Sequence, residues 1–230
     1  MKKLLLMILL LLAGCTERAA LLPENPESMR VQNGESRNGW VIEENELIHR
    51  TAAVLNDAKK LEGPVTAIGE TFKLYVYSDE GDEQAYPVWL DDQSVMFEHN
   101  GKRYRTEDPE AVETIRQIYP LHDQPNAQSL EAFQGFLVEK TNEDGMAKAL
   151  IVSGISKEQA RTLNYRKVTE TIEITDAIWF TSENMEFEKR EKGEFMTVWW
   201  DAEKPHSEPG ILTLEAVKVL NGEEFGGSNE

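Results

Sequence analysis

The residues able to do chemistry in this chain are few and scattered. One cysteine, Cys15, closes an apolar run, and the four histidines are His49, His99, His122 and His206. No two of them sit at a metal-ligand spacing, and no H-E-x-x-H segment or cysteine cluster accompanies them. A histidine base would have to be assembled by the fold; otherwise these are surface or loop histidines. Carboxylates occur in runs: Asp79-Glu80-Gly81-Asp82-Glu83, Asp91-Asp92 and Glu186-Phe187-Glu188. A calcium loop opening at Asp79 needs a glutamate at its twelfth position, where this chain has Leu90, so the runs read as solvated turns. Paired acids for glycoside hydrolysis need a cleft geometry that spacing alone does not supply. There is no G-x-S-x-G elbow, since Val152-Ser153-Gly154-Ile155 lacks its pattern, and no P-loop or G-x-G-x-x-G. No catalytic residue, metal ligand or cofactor is assigned, and the reading leans away from an enzyme. The stretches best suited to binding are the aromatic pairs Trp179-Phe180 and Trp199-Trp200. On strands, neighbours point to opposite faces. One member of each pair would then face outward, as a platform for a sugar, peptide or other ligand. The alternative is that both sides are covered, one by a core and the other by a helix or a second domain.

Cys15 asks for a separate explanation, because a lone cysteine cannot form an intramolecular disulfide. Met1-Lys2-Lys3 is a basic start, Leu4 to Leu12 is uninterruptedly apolar, and Ala13-Gly14 are small. These are the three regions of a secretory signal. The apolar run falls short of the about 20 residues that span a bilayer. The segment Leu12-Ala13-Gly14-Cys15 resembles the lipobox of bacterial lipoproteins. That resemblance implies diacylglyceryl transfer to the Cys15 sulfur, cleavage between Gly14 and Cys15, and a cell-membrane protein held on the extracytoplasmic face by its lipid, palmitate included. The alternative is an ordinary secretory signal with an incidental cysteine. Two acyl chains hold a protein stably, whereas one binds marginally.

The formal net charge is −18, and loss of Lys2 and Lys3 with the signal makes it more negative. So acidic a chain is repelled by phosphate backbones, so no nucleic-acid partner is expected. It is repelled by anionic headgroups too, so attachment rests on lipid rather than on a basic patch. Apolar content of 40% and charged content of 29% suit a globular protein.

These residues need elements to position them. Residues 15–41 are expected to form a lipidated N-terminus and flexible tether, because Thr16 to Asn38 is polar, Pro-containing and without period. As a coil, some 23 residues would lift a domain by roughly 25–30 Å. Glu43 to Leu61 carries a helical stripe of Leu47, Ile48, Thr51, Ala52, Leu55 and Ala58, stopped by Gly63-Pro64. Strand-like runs follow at Val65–Ile68, Phe72–Tyr77, Tyr86–Leu90, Val95–Glu98 and Arg103–Thr106, with a hairpin signal at Asn100-Gly101. Asp108-Pro109-Glu110 opens a second helix that Pro120 stops. This predicts a small helix–meander–helix α+β domain over residues 42–120. Residues 121–129 (L-H-D-Q-P-N-A-Q-S) read as a linker.

Beyond residue 130 the pattern becomes mostly β. Strands are predicted at Phe136–Lys140, Met146–Val152, Thr169–Phe180, Phe195–Trp200 and Ile211–Leu220. A short helix opens with capping-box spacing at Ser156 and Gln159, and Pro205-His206-Ser207-Glu208-Pro209 makes a loop. Such strands suggest a compact barrel or sandwich. Gly135-Phe136-Leu137-Val138, Asp176-Ala177-Ile178-Trp179-Phe180 and Val198-Trp199-Trp200-Asp201 resemble the C-terminal domain of YobA-like lipoproteins. These are Gram-positive surface proteins whose shared domain is of unknown function. The resemblance covers residues 130–221 and implies an OB-like β-barrel; it lends no catalytic residue. In that pattern a glycine often follows the aspartate, where this chain has Ala202. Residues 222–230 are expected to be a disordered tail. The sequence thus predicts a lipid-anchored binding or interaction module at the cell envelope, its partner an envelope ligand or protein. The alternatives are an envelope hydrolase with an unrecognised site and a structural or inhibitory lipoprotein.

Overall fold

Period-two burial organises the first half of the chain. In the computed structural model, which describes residues 20–23, 26–33, 39–63, 69–79, 81–143, 145–173, 176–182, 187–204 and 211–222, the strand β4 (Phe72–Ser78) buries Phe72, Leu74 and Val76 and turns Lys73 and Tyr75 outward. It pairs with β5 (Glu83–Leu90) on one side and β1 (Pro26–Asn33) on the other. With β2 (Gly39–Ile42), β3 (Lys59–Lys60), β6 (Val95–His99) and β7 (Lys102–Thr106) they make an antiparallel sheet of order β2-β1-β4-β5-β6-β7-β3. The β6–β7 turn is Asn100-Gly101, both at positive φ (51° and 69°), as a two-residue hairpin demands. Helices α1 (Asn45–Asp57) and α2 (Pro109–Ile118) bury Leu47, Ile48, Leu55, Val112, Ile115 and Ile118 in the same core as the sheet. Asp108 caps α2, accepting from the Glu110 N–H at 3.1 Å, with Pro109 in the first turn.

β1 corrects the tether reading of residues 15–41. Met29, Val31 and Asn33 are buried while Glu27, Arg30 and Gln32 point outward, and the strand lies between β2 and β4. Its outward polar residues dilute the apolar signal, so the segment looks irregular. Trp40 and Ile42 of β2 are buried too, and Leu22 is 2% exposed. The expected linker is likewise a packed corner: Leu121 is in the core, and Ala127–Ser129 form a 3₁₀ turn. The predicted strand at Val65–Ile68 lies outside the described residues.

The second half is a ring of five strands: β8 (Leu130–Glu143), β9 (Met146–Val152), β10 (Ala177–Ser182), β12 (Thr213–Asn221) and β11 (Phe195–Asp201), with β11 closing on β8. All pairs are antiparallel except β10–β12. Irregularities in register at Leu137/Glu139 and Trp199/Trp200 bend the long strands. Gly135 permits the closure of β8 on β9, since a Cβ there would lie 2.5 Å from the Val152 carbonyl oxygen. The expected strand over Thr169–Phe180 begins only at Ala177. The β-branched run before it is instead the helix α4 (Tyr165–Thr171), because Asn164 caps it from its side chain and Val168 is buried. Packing and a cap override the strand propensity of the run. Before it lies α3 (Lys157–Thr162), opened by the reciprocal Ser156–Gln159 capping box at 3.2 and 2.7 Å. Among the described residues no helix is long and apolar enough to cross a membrane.

Candidate functional site

The four aromatic residues singled out from the sequence lie on β10 and β11, and alternation divides them as expected. Phe180 and Trp200 point into the barrel, with ring centroids 5.9 Å apart among Leu137, Ile151, Met196 and Val198. Trp179 and Trp199 point out. Both are buried all the same: exposures are 8% for Trp179, 0% for Phe180, 0% for Trp199 and 9% for Trp200. These four therefore form no open ligand platform. The outward members are covered by two different parts of the chain.

Trp199 enters the core of the N-terminal half. Its ring meets Trp40 edge-on at 5.4 Å, Trp40 stacks on Tyr119 at 6.0 Å, and Tyr119 stacks on Phe72 at 4.7 Å. Hydrogen bonds fix the polar edges of this stack. The Trp40 indole donates to the Ile118 carbonyl at 3.0 Å, and the Tyr119 hydroxyl donates to Asn33 Oδ1 at 2.9 Å. Asn33 in turn donates to the carbonyls of Leu130, at 3.1 Å, and Ala127. Burial pushes the Tyr119 phenol well above its ordinary pKa, so it stays a donor. At the edge of the sheet the Gln134 amide acts as a surrogate strand. Its Oε1 accepts from the Val41 N–H at 2.9 Å, and its Nε2 donates to the Val41 carbonyl at 3.2 Å. Lys218 adds a bond to the Pro120 carbonyl at 2.7 Å.

Trp179 faces the other way and is covered by α3 and α4. It belongs to a cluster with Val138, Leu150, Val152, Ala160, Val168 and Ala177. Tyr165 packs on it at 5.9 Å and the Lys148 ammonium lies 5.2 Å from its ring centre. The outer surface at Trp199 and at Trp179 is thus occupied.

Two open clefts adjoin at Lys140, the first of them beside α4. One, of about 470 Å³, is lined by Tyr165, Arg166 and Lys192 among others; its neighbour, of about 420 Å³, by Lys148 and Phe187. Lys140 donates to the carbonyls of Glu188 (3.1 Å) and Arg190 (2.5 Å), and Lys192 to that of Leu163. Lys148 pairs with Glu143 at 3.2 Å and Arg166 with Glu170 at 3.2 Å. Four cations and the carboxylates Glu139 and Glu188 therefore rim adjoining clefts on a chain of net charge −18, and Tyr165 stands 43% exposed among them.

Among the described residues the histidines do not converge. His49 is exposed on α1, His99 stacks on Tyr86 at 5.3 Å, and His122 lies 3.1 Å from Asp123. Among the described residues no three His, Cys, Asp or Glu side chains are gathered for a metal. Gly14, Cys15 and His206, with the loop around it, lie outside the described residues. Gln134, Trp40 and Asn33 escaped the sequence reading, since only the partner strand gives them a role.

The barrel is also the part of the chain that a family model matches. Residues 134–221 fit the model of a family described as a protein of unknown function, DUF3221. This stretch is similar to that family over 88 residues. It begins at Gln134 and ends with β12, so the seven-stranded sheet lies outside it. Among solved structures, a yobA protein from Bacillus subtilis subsp. subtilis str. 168 is similar at 16% identity. The match covers 40% of this chain and 94% of that one, with a TM-score of 0.32. No curated protein matches the chain.

Proposed function

We propose that the protein is a lipid-anchored module on the extracytoplasmic face of the cell membrane, whose barrel domain binds an anionic envelope ligand. The anchoring part rests on the Leu4–Leu12 run and the Leu12-Ala13-Gly14-Cys15 segment. Signal cleavage between Gly14 and Cys15 with diacylglyceryl on the Cys15 sulfur leaves enough acyl chain for stable attachment. The ring order β8-β9-β10-β12-β11 with its parallel β10–β12 pair supports an OB-like reading of the barrel. Barrels of that type bind oligomers on the face of their second and third strands. Here that face, β9 and β10, carries α3 and α4, so the ligand site moves to the rim.

The observation that carries the binding reading is the meeting of Lys140, Lys148, Arg166 and Lys192 around adjoining clefts on an otherwise acidic chain. Glu139 and Glu188 share the rim, and Glu143 and Glu170 pair with two of the cations, so the region is close to neutral and repels an anion less than the rest of the molecule does. The test is retention of envelope polymers by the membrane-anchored protein. Arg166 is largely exposed, its side chain at 87%, so Arg166→Glu leaves the fold intact. We expect it to lower retention of anionic polymer several-fold and to weaken the salt dependence of what remains. Equal retention by wild type and variant would contradict the reading.

A further inference from the structure

The chain is pinned to the folded body only six residues beyond Cys15. The N–H groups of Leu21 and Leu22 both donate to Asn56 Oδ1, at 2.6 and 2.9 Å, in the last turn of α1. The Leu21 carbonyl lies 2.9 Å from the Tyr86 hydroxyl, whose single proton it shares with Gln84 Oε1 at 2.6 Å. Burial pushes that phenol up to about 12, so the hydroxyl keeps its proton at neutral pH. Leu22 is 2% exposed and belongs to the core. Two backbone donors, one backbone acceptor and a buried side chain thus fix where the lead-in meets the body.

A fully extended chain spans at most about 3.3–3.6 Å per residue, so six residues reach about 20 Å. A coil from Cys15 to residue 41 would have allowed the body to tumble freely well above the headgroups. The pin removes that freedom and selects one end of the molecule. That end carries the last turn of α1, the start of β5, and the β6–β7 turn, since His99 stacks on Tyr86 and pairs with Lys102. Lys102 is exposed there, and so are Asp79, Asp82 and Glu83 of the β4–β5 turn, so the short lead-in, not charge, holds this end near the surface. The barrel meets the sheet at β2, three strands from β5, through β8 and β11. Its β9, β10 and α4 lie on the side of the ring away from that joint.

We propose that the end of the sheet formed by Asn56, Tyr86 and the β6–β7 turn rests against the bilayer surface, and that the Lys140 clefts are held facing away from it. This rests on the anchoring reading above. The test uses full-length lipidated protein in vesicles of zwitterionic and anionic lipid bearing an acceptor dye on the headgroup. A donor dye is placed at Lys102→Cys or at Met146→Cys, both exposed positions. Energy transfer from residue 102 is expected to exceed that from residue 146 several-fold. Inserting twenty Gly/Ser residues between Cys15 and Ala20 is expected to bring the two signals together. Equal transfer from both positions, or a ratio unmoved by the insertion, overturns the orientation. Protein that fails to float with the vesicles, as Cys15→Ala should, overturns the anchoring reading and this proposal with it.

Discussion

Trp199 is the side chain by which the barrel enters the other half of the molecule. It is fully buried against Trp40, Leu130 and Ala132, so its removal leaves a cavity that packed neighbours cannot fill. Trp→Ala substitutions at such sites cost about 3–5 kcal/mol. We expect Trp199→Ala to lose about that much in denaturant unfolding; a loss under about 1 kcal/mol would mean the joint is loose. Gln134 acts on a smaller scale, satisfying both backbone groups of Val41 and covering an edge that could otherwise pair with a foreign strand. Alternation along β10 and β11 was legible in the sequence, and one member of each pair does turn outward, though the structure alone shows that it is Trp179 and Trp199. What covers them was not legible: outward on a strand means toward solvent only when nothing else packs there.

Elements show the same division. The caps of α2 and α3, the Asn100-Gly101 turn and the amphipathic stripe of α1 depend on neighbours in sequence, and all could be read from it. β1 could not, because its partners, β2 and β4, meet it through registers such as Met29↔Ile42 and Val31↔Leu74. Nor could α4, whose Val168 is drawn into the cluster under Trp179. The distinction has a direct consequence. A tether tolerates deletion, whereas a strand inside a sheet does not. Removing residues 26–33 is expected to abolish the cooperative unfolding transition and expose apolar surface to a hydrophobic dye. A deletion variant as stable as the parent would return the segment to the tether reading.

At the scale of the whole molecule, the stack from Phe72 through Tyr119 and Trp40 to Trp199 makes the sheet and the barrel share one core. That sharing matters for function. A pin at Asn56 and Tyr86 can orient the Lys140 clefts only if nothing hinges between them. The most direct measurement is hydrogen exchange across a urea series, read separately for peptides from β4–β5 and from β9–β10. With one shared core, both sets lose protection at the same urea concentration, and Trp199→Ala separates them. Two well-separated midpoints in the unmodified protein would contradict the account.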